Sequence, residues 1–271
     1  MVFRATIDSL EEVKSIRLDL LIKFHQFCHD NKIHYSLAYG TLLGAIRHKG
    51  YIPWDDDIDV MMLREDYVKF ENRFPHNDVQ YDFITLRRSN KWNRPYGKFY
   101  NRNTLEIENA NNNVGIGIGI DVFPIDDVPD NEQEFKFFRN KRLIFVQASS
   151  IKCILLSKER SLLKNLFVLV GHIVLLPFSH RRIAMIIDRY ANSNNGKGYS
   201  RVFRSCDAVK VKESFPKSFF KSYVYVVFEG YHLKAICSYD EYLRSCYGTY
   251  MQLPPEDKRI STHHFEAYWL K

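Results

Sequence analysis

The stretch YIPWDDDIDV (51–60) sets four aspartates within five positions and runs straight into Val60 and Met61, residues of strand type that belong in a protein interior. Like charges gathered at the mouth of a buried strand repel one another unless a cation neutralises them or one keeps its proton. Any fold open to this chain must bury that strand and leave its acidic end facing something positive. Successive strand residues point to opposite faces, so Asp57 and Asp59 share one face, Asp55 joins them if the extended backbone begins there, and Ile58, Val60 and Met62 face the core. Residues i and i+2 lie about 7 Å apart along a strand. Carboxylates at that spacing can converge on divalent cations, which two-metal sites hold about 3.5–4 Å apart. The alternative is a solvated acidic turn, and the tie to Ile58, Val60 and Met61 weighs against it.

Upstream, AYGTLLGAIRHKG (38–50) supplies a complement. Gly40 and Thr41 fall at a strand-to-helix turn, where free backbone N–H groups and the helix dipole favour an anion. Downstream, GIGIGIDVFPIDD (115–127) alternates strictly, which is a strand pattern and not a phosphate loop. It places Asp121 on a face otherwise lined by Gly115, Gly117 and Gly119, bare enough for a ligand or another backbone to approach. Asp121 is the candidate third carboxylate, as a metal ligand or as acceptor of the attacking hydroxyl's proton. Lys98 and Arg102 of YGKFYNRNT, together with Arg47 after the first short helix, are the candidate phosphate contacts. His263 and His264 are adjacent, so on an extended segment they point apart, and no cysteine stands at ligand spacing; they are not read as a metal site.

Around these motifs the chain reads as mixed α/β to about residue 130, then as a mostly helical region, 131–271, that completes the core. Ser9 and Glu12 form a capping box before a helix over 10–30. Short strands are expected at 34–40 and 57–62, with a helix over 41–48 opened by Thr41. Helices are expected over 158–177, 180–193 and 239–248, and a late strand over 223–230 returns to the N-terminal sheet. The segment SLLKNLFVLVGHIVLLPF (161–178) is interrupted by Lys164, Asn165 and His172 and is too short to span a bilayer. It reads as a buried helix. Lys158, Arg160, Lys164, Arg181 and Arg182 around it keep open peripheral contact of 158–182 with an anionic membrane. Net charge is +7 and pI about 9.0, which suits anionic partners. Five cysteines, odd in number and without a C-x-x-C pair, predict a reducing compartment. The N-terminal stretch shows no signal-like apolar segment. The expected location is the cytoplasm, including the inner face of the membrane.

The run YGTLLGAIRHKGYIPWDDDIDVMM resembles the signature of the LicD and fukutin-related phosphotransferases, a branch of the nucleotidyltransferase-fold superfamily. YGKFYNRNT, GIDVFPIDDVP and YDEYLRSCYGTYMQLPPEDKR match in order, so the resemblance runs from about residue 10 to 265 and thins only across the helical middle. It implies an α+β fold, a nucleotidyltransferase-like mixed sheet flanked by helices. It also implies magnesium-dependent (or manganese-dependent) transfer of a phospho-substituent, foremost phosphocholine, from a CDP-linked donor such as CDP-choline to a sugar hydroxyl of a cell-surface or lipid-linked glycan, with CMP leaving. By this resemblance Asp55, Asp57 and Asp59 hold the metal, Gly40 and Thr41 border the nucleotide phosphates, and Asp121 sits across the site. Cys237 and Ser238 stand where a proline-containing approach to the last helix is expected, and no cysteine cluster corresponds to the zinc-binding insert of the animal relatives. Transfer of glycerol or ribitol phosphate, and transfer of NMP from an NTP to a small hydroxyl compound, are the rival activities. An idle scaffold conflicts with so repulsive a site, and no nucleic-acid docking motif is present. Trp54, Tyr96 and Tyr100 are candidates for a choline cage.

Overall fold

The computed structural model of the 271-residue chain describes residues 3–108, 113–158, 160–206, 214–259 and 265–270. His263 and His264 lie outside them. After a short strand β1 (Phe3–Thr6), the apolar periodicity beyond Ser9 produces α1 (Leu10–Asp30), which buries Val13, Ile16, Leu20, Leu21 and Phe24. Ser9 occupies the N-cap, yet its side chain makes no capping hydrogen bond. Glu12 instead accepts the indole N–H of Trp269 at 2.8 Å, so the expected capping box does not form. β2 (Ser36–Leu37) is only two residues long, because Tyr39 takes φ 45° and swings the chain at once into α2 (Tyr39–Arg47). Thr41 therefore sits inside the first turn and is not its cap. β3 (Asp59–Leu63) begins at Asp59, two residues later than expected, and passes into α3 (Arg64–Arg73).

β4 (Tyr81–Ile84), β5 (Gly97–Asn101), β6 (Thr104–Glu108) and β7 (Gly119–Val128) follow. Among the described residues the central sheet has the order β2-β3-β7-β5-β4, with β3 parallel to β7 and the other neighbours antiparallel. Val60, Met61 and Met62 are buried in succession, as in a strand covered on both faces. Phe24 of α1 packs against Phe70 of α3 and Phe99 of β5, with ring centroids 4.8 and 6.0 Å apart, so both helices share one aromatic core with the sheet. This is the α+β, nucleotidyltransferase-like arrangement that the sequence implied.

Helices dominate next: α4 (Glu132–Cys153), α5 (Leu162–Val174) and α6 (His180–Asn192), with Asn131 and Ser179 capping the first and third. β8 (Arg201–Phe203) then pairs with the far end of β7, and β9 (Phe215–Pro216) pairs with β8. The late strand β10 (Tyr223–Phe228) does not return to the central sheet. Glu229 and Gly230 both adopt positive φ, 49° and 81°, a two-residue turn that folds β10 back on β11 (Tyr231–Ile236) as a hairpin. α7 (Tyr239–Tyr247) stops at Gly248, φ 65°. β12 (Phe265–Leu270) pairs with both β1 and β6. The main hydrophobic cluster takes Val202, Phe215, Phe228, Leu233 and Tyr242 alongside Leu20, Val60 and Phe99, so residues from both sides of 130 share it.

The expectation of a buried helix over 161–178 is overturned. Of α5 only Val168 is buried, and its leucines, valines and Phe167 face outward. Asn165 and His172 take the inner side, where Asn165 donates to the Ser157 carbonyl and His172 Nε2 lies 2.9 Å from the Ile151 carbonyl.

Candidate active site

Two strands bring the principal carboxylates together. β3 and β7 run parallel in the register Asp59 with Asp121, and the Asp121 N–H donates to the Ile58 carbonyl at 3.0 Å. Neighbouring strands lie about 4.8 Å apart, so two residues in register present their side chains side by side on one face. Burial first, then Asp57 and Asp121, push the Asp59 carboxyl well above the ordinary aspartate range, with Arg204 opposing and Asp55 adding to the rise. The four aspartates of the sequence reading thus form one electrostatic group. The Asp59 N–H donates to Thr41 Oγ1 at 2.8 Å, which fixes the start of β3 against the first turn of α2. A Cβ on Gly40 would stand 2.6 Å from Asp55 Oδ2, so the glycine gives that carboxylate its place beside the helix turn.

Residues 55–58 are a loop held from behind, not an extended run. Asp55 Oδ1 accepts the N–H of Asp56 at 3.1 Å and that of Asp57 at 3.5 Å. Buried Arg17 of α1 donates to the Asp56 carbonyl at 2.7 Å and the Asp56 carboxylate at 3.0 Å, and its Nη1 stands 3.3 Å from Asp57 Oδ1. Its other terminal nitrogen donates to Glu106 Oε1 at 2.8 Å. Burial works against the guanidinium charge, but Glu106, Asp57 and Asp56 outweigh it and hold Arg17 above the usual arginine value. Asp56 is wholly buried, whereas the Asp57 side chain is 41% exposed and turns to solvent.

Lys98 comes to the same face. It pairs in register with Asp121 across β5 and β7, and its Nζ lies 3.8 Å from Asp121 Oδ1 and 3.6 Å from Glu106 Oε2. A Cβ on Gly119 would meet Lys98 Cγ at 2.6 Å, so that glycine lets the lysine stem cross β7. The bare face of GIGIGID is thus partly covered by Lys98.

Arg204, which the sequence reading missed, follows β8. Its guanidinium lies 3.8 Å from the Tyr39 ring centroid and 4.4 Å from that of Phe123, two residues beyond Asp121. Tyr247 of α7 is also within reach: burial, then Cys246, Asp59 and Asp55 push its hydroxyl upward. Tyr96 packs on Phe123, two residues beyond Asp121, at 4.8 Å. Trp54 instead meets His48 and Arg259, and the Tyr100 hydroxyl donates to Asp82.

Two expected phosphate contacts stand elsewhere. Arg102 does not share the Lys98 face, because β5 ends at Asn101; it is exposed in the following turn and donates to the carbonyls of Asp78 and His76. Arg47 sits at the opposite end of α2 from Gly40 and donates to the carbonyls of Tyr250 and Gln252. Burial is the main influence on its guanidinium, lowering its pKa.

Oxygen donors alone suit a hard cation such as magnesium or manganese, and the burial and repulsion that raise the Asp59 carboxyl are what such an ion would relieve. Among the described residues no three His, Cys, Asp or Glu side chains make a preformed cage. The aspartates are neighbours by charge and have not closed into a coordination shell.

A family model described as "LicD/FKTN/FKRP, nucleotidyltransferase domain" matches residues 32–152. The lipopolysaccharide cholinephosphotransferase LicD of Haemophilus influenzae is 32% identical over 276 residues, which span 97% of this chain and 98% of that protein. An uncharacterised protein of Rickettsia typhi is 42% identical over 67 residues, 24% of this chain and 22% of its own. One of Rickettsia prowazekii is 41% identical over 63 residues, 23% of this chain and 24% of its own. With a relative matched end to end and the acidic site lying within the family's nucleotidyltransferase domain, the chain belongs to the LicD family.

Proposed function

We propose that the protein is a cholinephosphotransferase that moves phosphocholine from CDP-choline to a sugar hydroxyl of a cell-surface glycan, with release of CMP. The observation that carries this reading is the in-register pair Asp59 and Asp121 beside the Gly40 turn, with Lys98 across from it, in a chain similar over 97% of its length to a lipopolysaccharide cholinephosphotransferase. The acceptor oxygen attacks the choline-bearing phosphorus, and the bond from that phosphorus to the bridging oxygen breaks toward CMP. The carboxylate of Asp121 takes the acceptor's proton. Lys98, whose Nζ lies 3.8 Å from that carboxylate, faces the developing phosphate charge. The N–H groups of the first turn of α2, opened by Gly40 and Thr41, orient the phosphates. Asp55, Asp57, Asp59 and Asp121 would hold magnesium or manganese. When bound, the ion supplies neutralisation of the pyrophosphate charge, the main need of phosphoryl transfer. Arg204 joins Lys98 as a second cation on the phosphate side, and Tyr96 is the aromatic placed to meet the choline. Residues 131–271 are assigned the acceptor. The site belongs in the cytoplasm, a placing supported by five free cysteines.

Isothermal titration with CDP-choline tests this reading. Binding is expected only with magnesium and is expected to vanish in Asp57→Asn; CMP should then appear when a glycan acceptor is added. No CDP-choline binding beside tight binding of CDP-glycerol or CDP-ribitol would move the transferred group. Tight binding of CTP alone would make the protein a nucleotidyltransferase.

A further inference from the structure

α5 is built inside out. At 3.6 residues per turn each residue advances the helix by about 100°, so Leu162, Leu163, Leu166, Phe167, Leu169, Val170, Ile173 and Val174 fill an arc of about 160°. All eight are exposed, Leu162 to 87%, Leu163 to 80% and Phe167 to 67%. The side facing the protein carries Asn165, Val168, Gly171 and His172. Asn165 and His172 are engaged with the Ser157 and Ile151 carbonyls, and a Cβ on Gly171 would meet Ile151 Cγ2 at 2.5 Å. The polar side is therefore fixed against the end of α4 and cannot roll outward. The apolar arc continues into exposed Leu176 and Phe178.

The surroundings select what covers this arc. Lys158, Lys164 and Arg182 are exposed and Arg160 half-buried around it, and no acidic residue occurs from Arg160 to Ile187. A second copy seated by a two-fold axis would set these cations against their own images, since such interfaces are self-complementary. An apolar face ringed by Lys and Arg matches the depth profile of an anionic bilayer surface, acyl chains inside and phosphate outside. Thirteen residues reach only about 20 Å, against about 30 Å of hydrocarbon, and no helix among the described residues is long and apolar enough to cross a membrane. The helix would thus lie in the plane of the interface.

We propose that the exposed face of α5, with its basic border, docks the protein on an anionic phospholipid surface. This does not depend on how the carboxylate site is read. The attachment is stiff. Arg181, at the start of α6, donates to the carbonyls of Leu86, Ser89 and Trp92, in the connection that leads from β4 to β5 and Lys98.

Co-sedimentation of the full chain with vesicles, without nucleotide, tests it. The chain is expected to pellet with phosphatidylglycerol-rich vesicles and to remain in solution with pure phosphatidylcholine. L163Q/F167Q/V174Q, which alters only exposed positions, should abolish pelleting with an unchanged melting temperature. K158Q/R160Q/K164Q should weaken it about 100-fold, at the usual contribution of each cation near an anionic surface. The proposal is overturned if the native chain stays in solution with anionic vesicles at low salt, if it binds both lipids equally, or if the apolar variant pellets as before. It is also overturned if lipid-free sedimentation shows a dimer that the apolar variant makes monomeric.

Discussion

Arg17 carries more of the site than any residue of the acidic run itself. It joins the backbone of the 55–58 loop, the Asp56 carboxylate and Glu106, all out of solvent. Arg17→Met would remove this cation from the buried Asp56 and Glu106 carboxylates, and a loss of about 3–5 kcal/mol is expected from urea denaturation midpoints. Arg17→Lys keeps the charge without the fork and should fall between. Asp59 makes the opposite prediction. Because its folded carboxyl holds the proton to higher pH than the unfolded chain does, folding takes up a proton from about pH 4 upward. Stability of the metal-free protein therefore falls as pH rises through that window, and the penalty is complete once both states are ionised. Asp59→Asn should melt roughly 2–4 °C higher at pH 8 without divalent ions. The two proteins should converge near pH 4, and magnesium should narrow the gap at pH 8 by binding only the native site. The sequence reading missed Arg17, although a signal was there: it stands one position after Ile16 on the face defined by Val13, Leu20 and Phe24, where an arginine must find acids. Arg204 was not legible, since nothing near RVFRSC distinguishes it from a surface charge before β8 is paired to β7.

Among elements, the junction of β2, α2 and β3 decides the geometry. The Ala38 N–H donates to the Asp59 carbonyl and Thr41 Oγ1 takes the Asp59 N–H, so the helix turn and the strand start are fixed to each other. Gly40 lets the Asp55 carboxylate into that junction. Gly40→Ala improves helix propensity, yet its Cβ must displace Asp55 Oδ2. Transfer activity is expected to fall about 100-fold, as for a misplacement of near 1 Å, while the melting temperature does not drop. Paired kinetics and thermal melts would show the split. Strand and helix types near this junction could be read from periodicity, but their bounds could not. The start of α2 depends on Tyr39 entering positive φ, and that of β3 on Arg17 holding residues 55–58 as a loop; both are tertiary effects. The buried reading of α5 failed for a related reason. Hydrophobicity alone does not say which side of a helix the protein takes, and here Asn165 and His172 took it.

At the scale of the whole molecule, sequence-distant pieces meet at one acidic patch: Arg17 from α1, the 55–59 run, Lys98, Glu106, Asp121, Arg204 and Tyr247. The parallel pairing of β3 with β7 joins strands 60 residues apart, and only the D-x-D and GID patterns hinted that they were neighbours. β12 then lies between β1 and β6, and the Trp269 indole donates to Glu12 of α1. This clasp bears on how the protein is made. On a ribosome, the aspartates of 55–59 emerge before Lys98 or Arg204 exists to answer them, and the strand that bridges β1 to β6 follows all the other described elements. Until those two cations are made, the acidic run has Arg17 of α1 to balance it, but neither Lys98 nor Arg204. The charge balance of the patch is therefore completed late, when β8 pairs with β7 and Arg204 follows it.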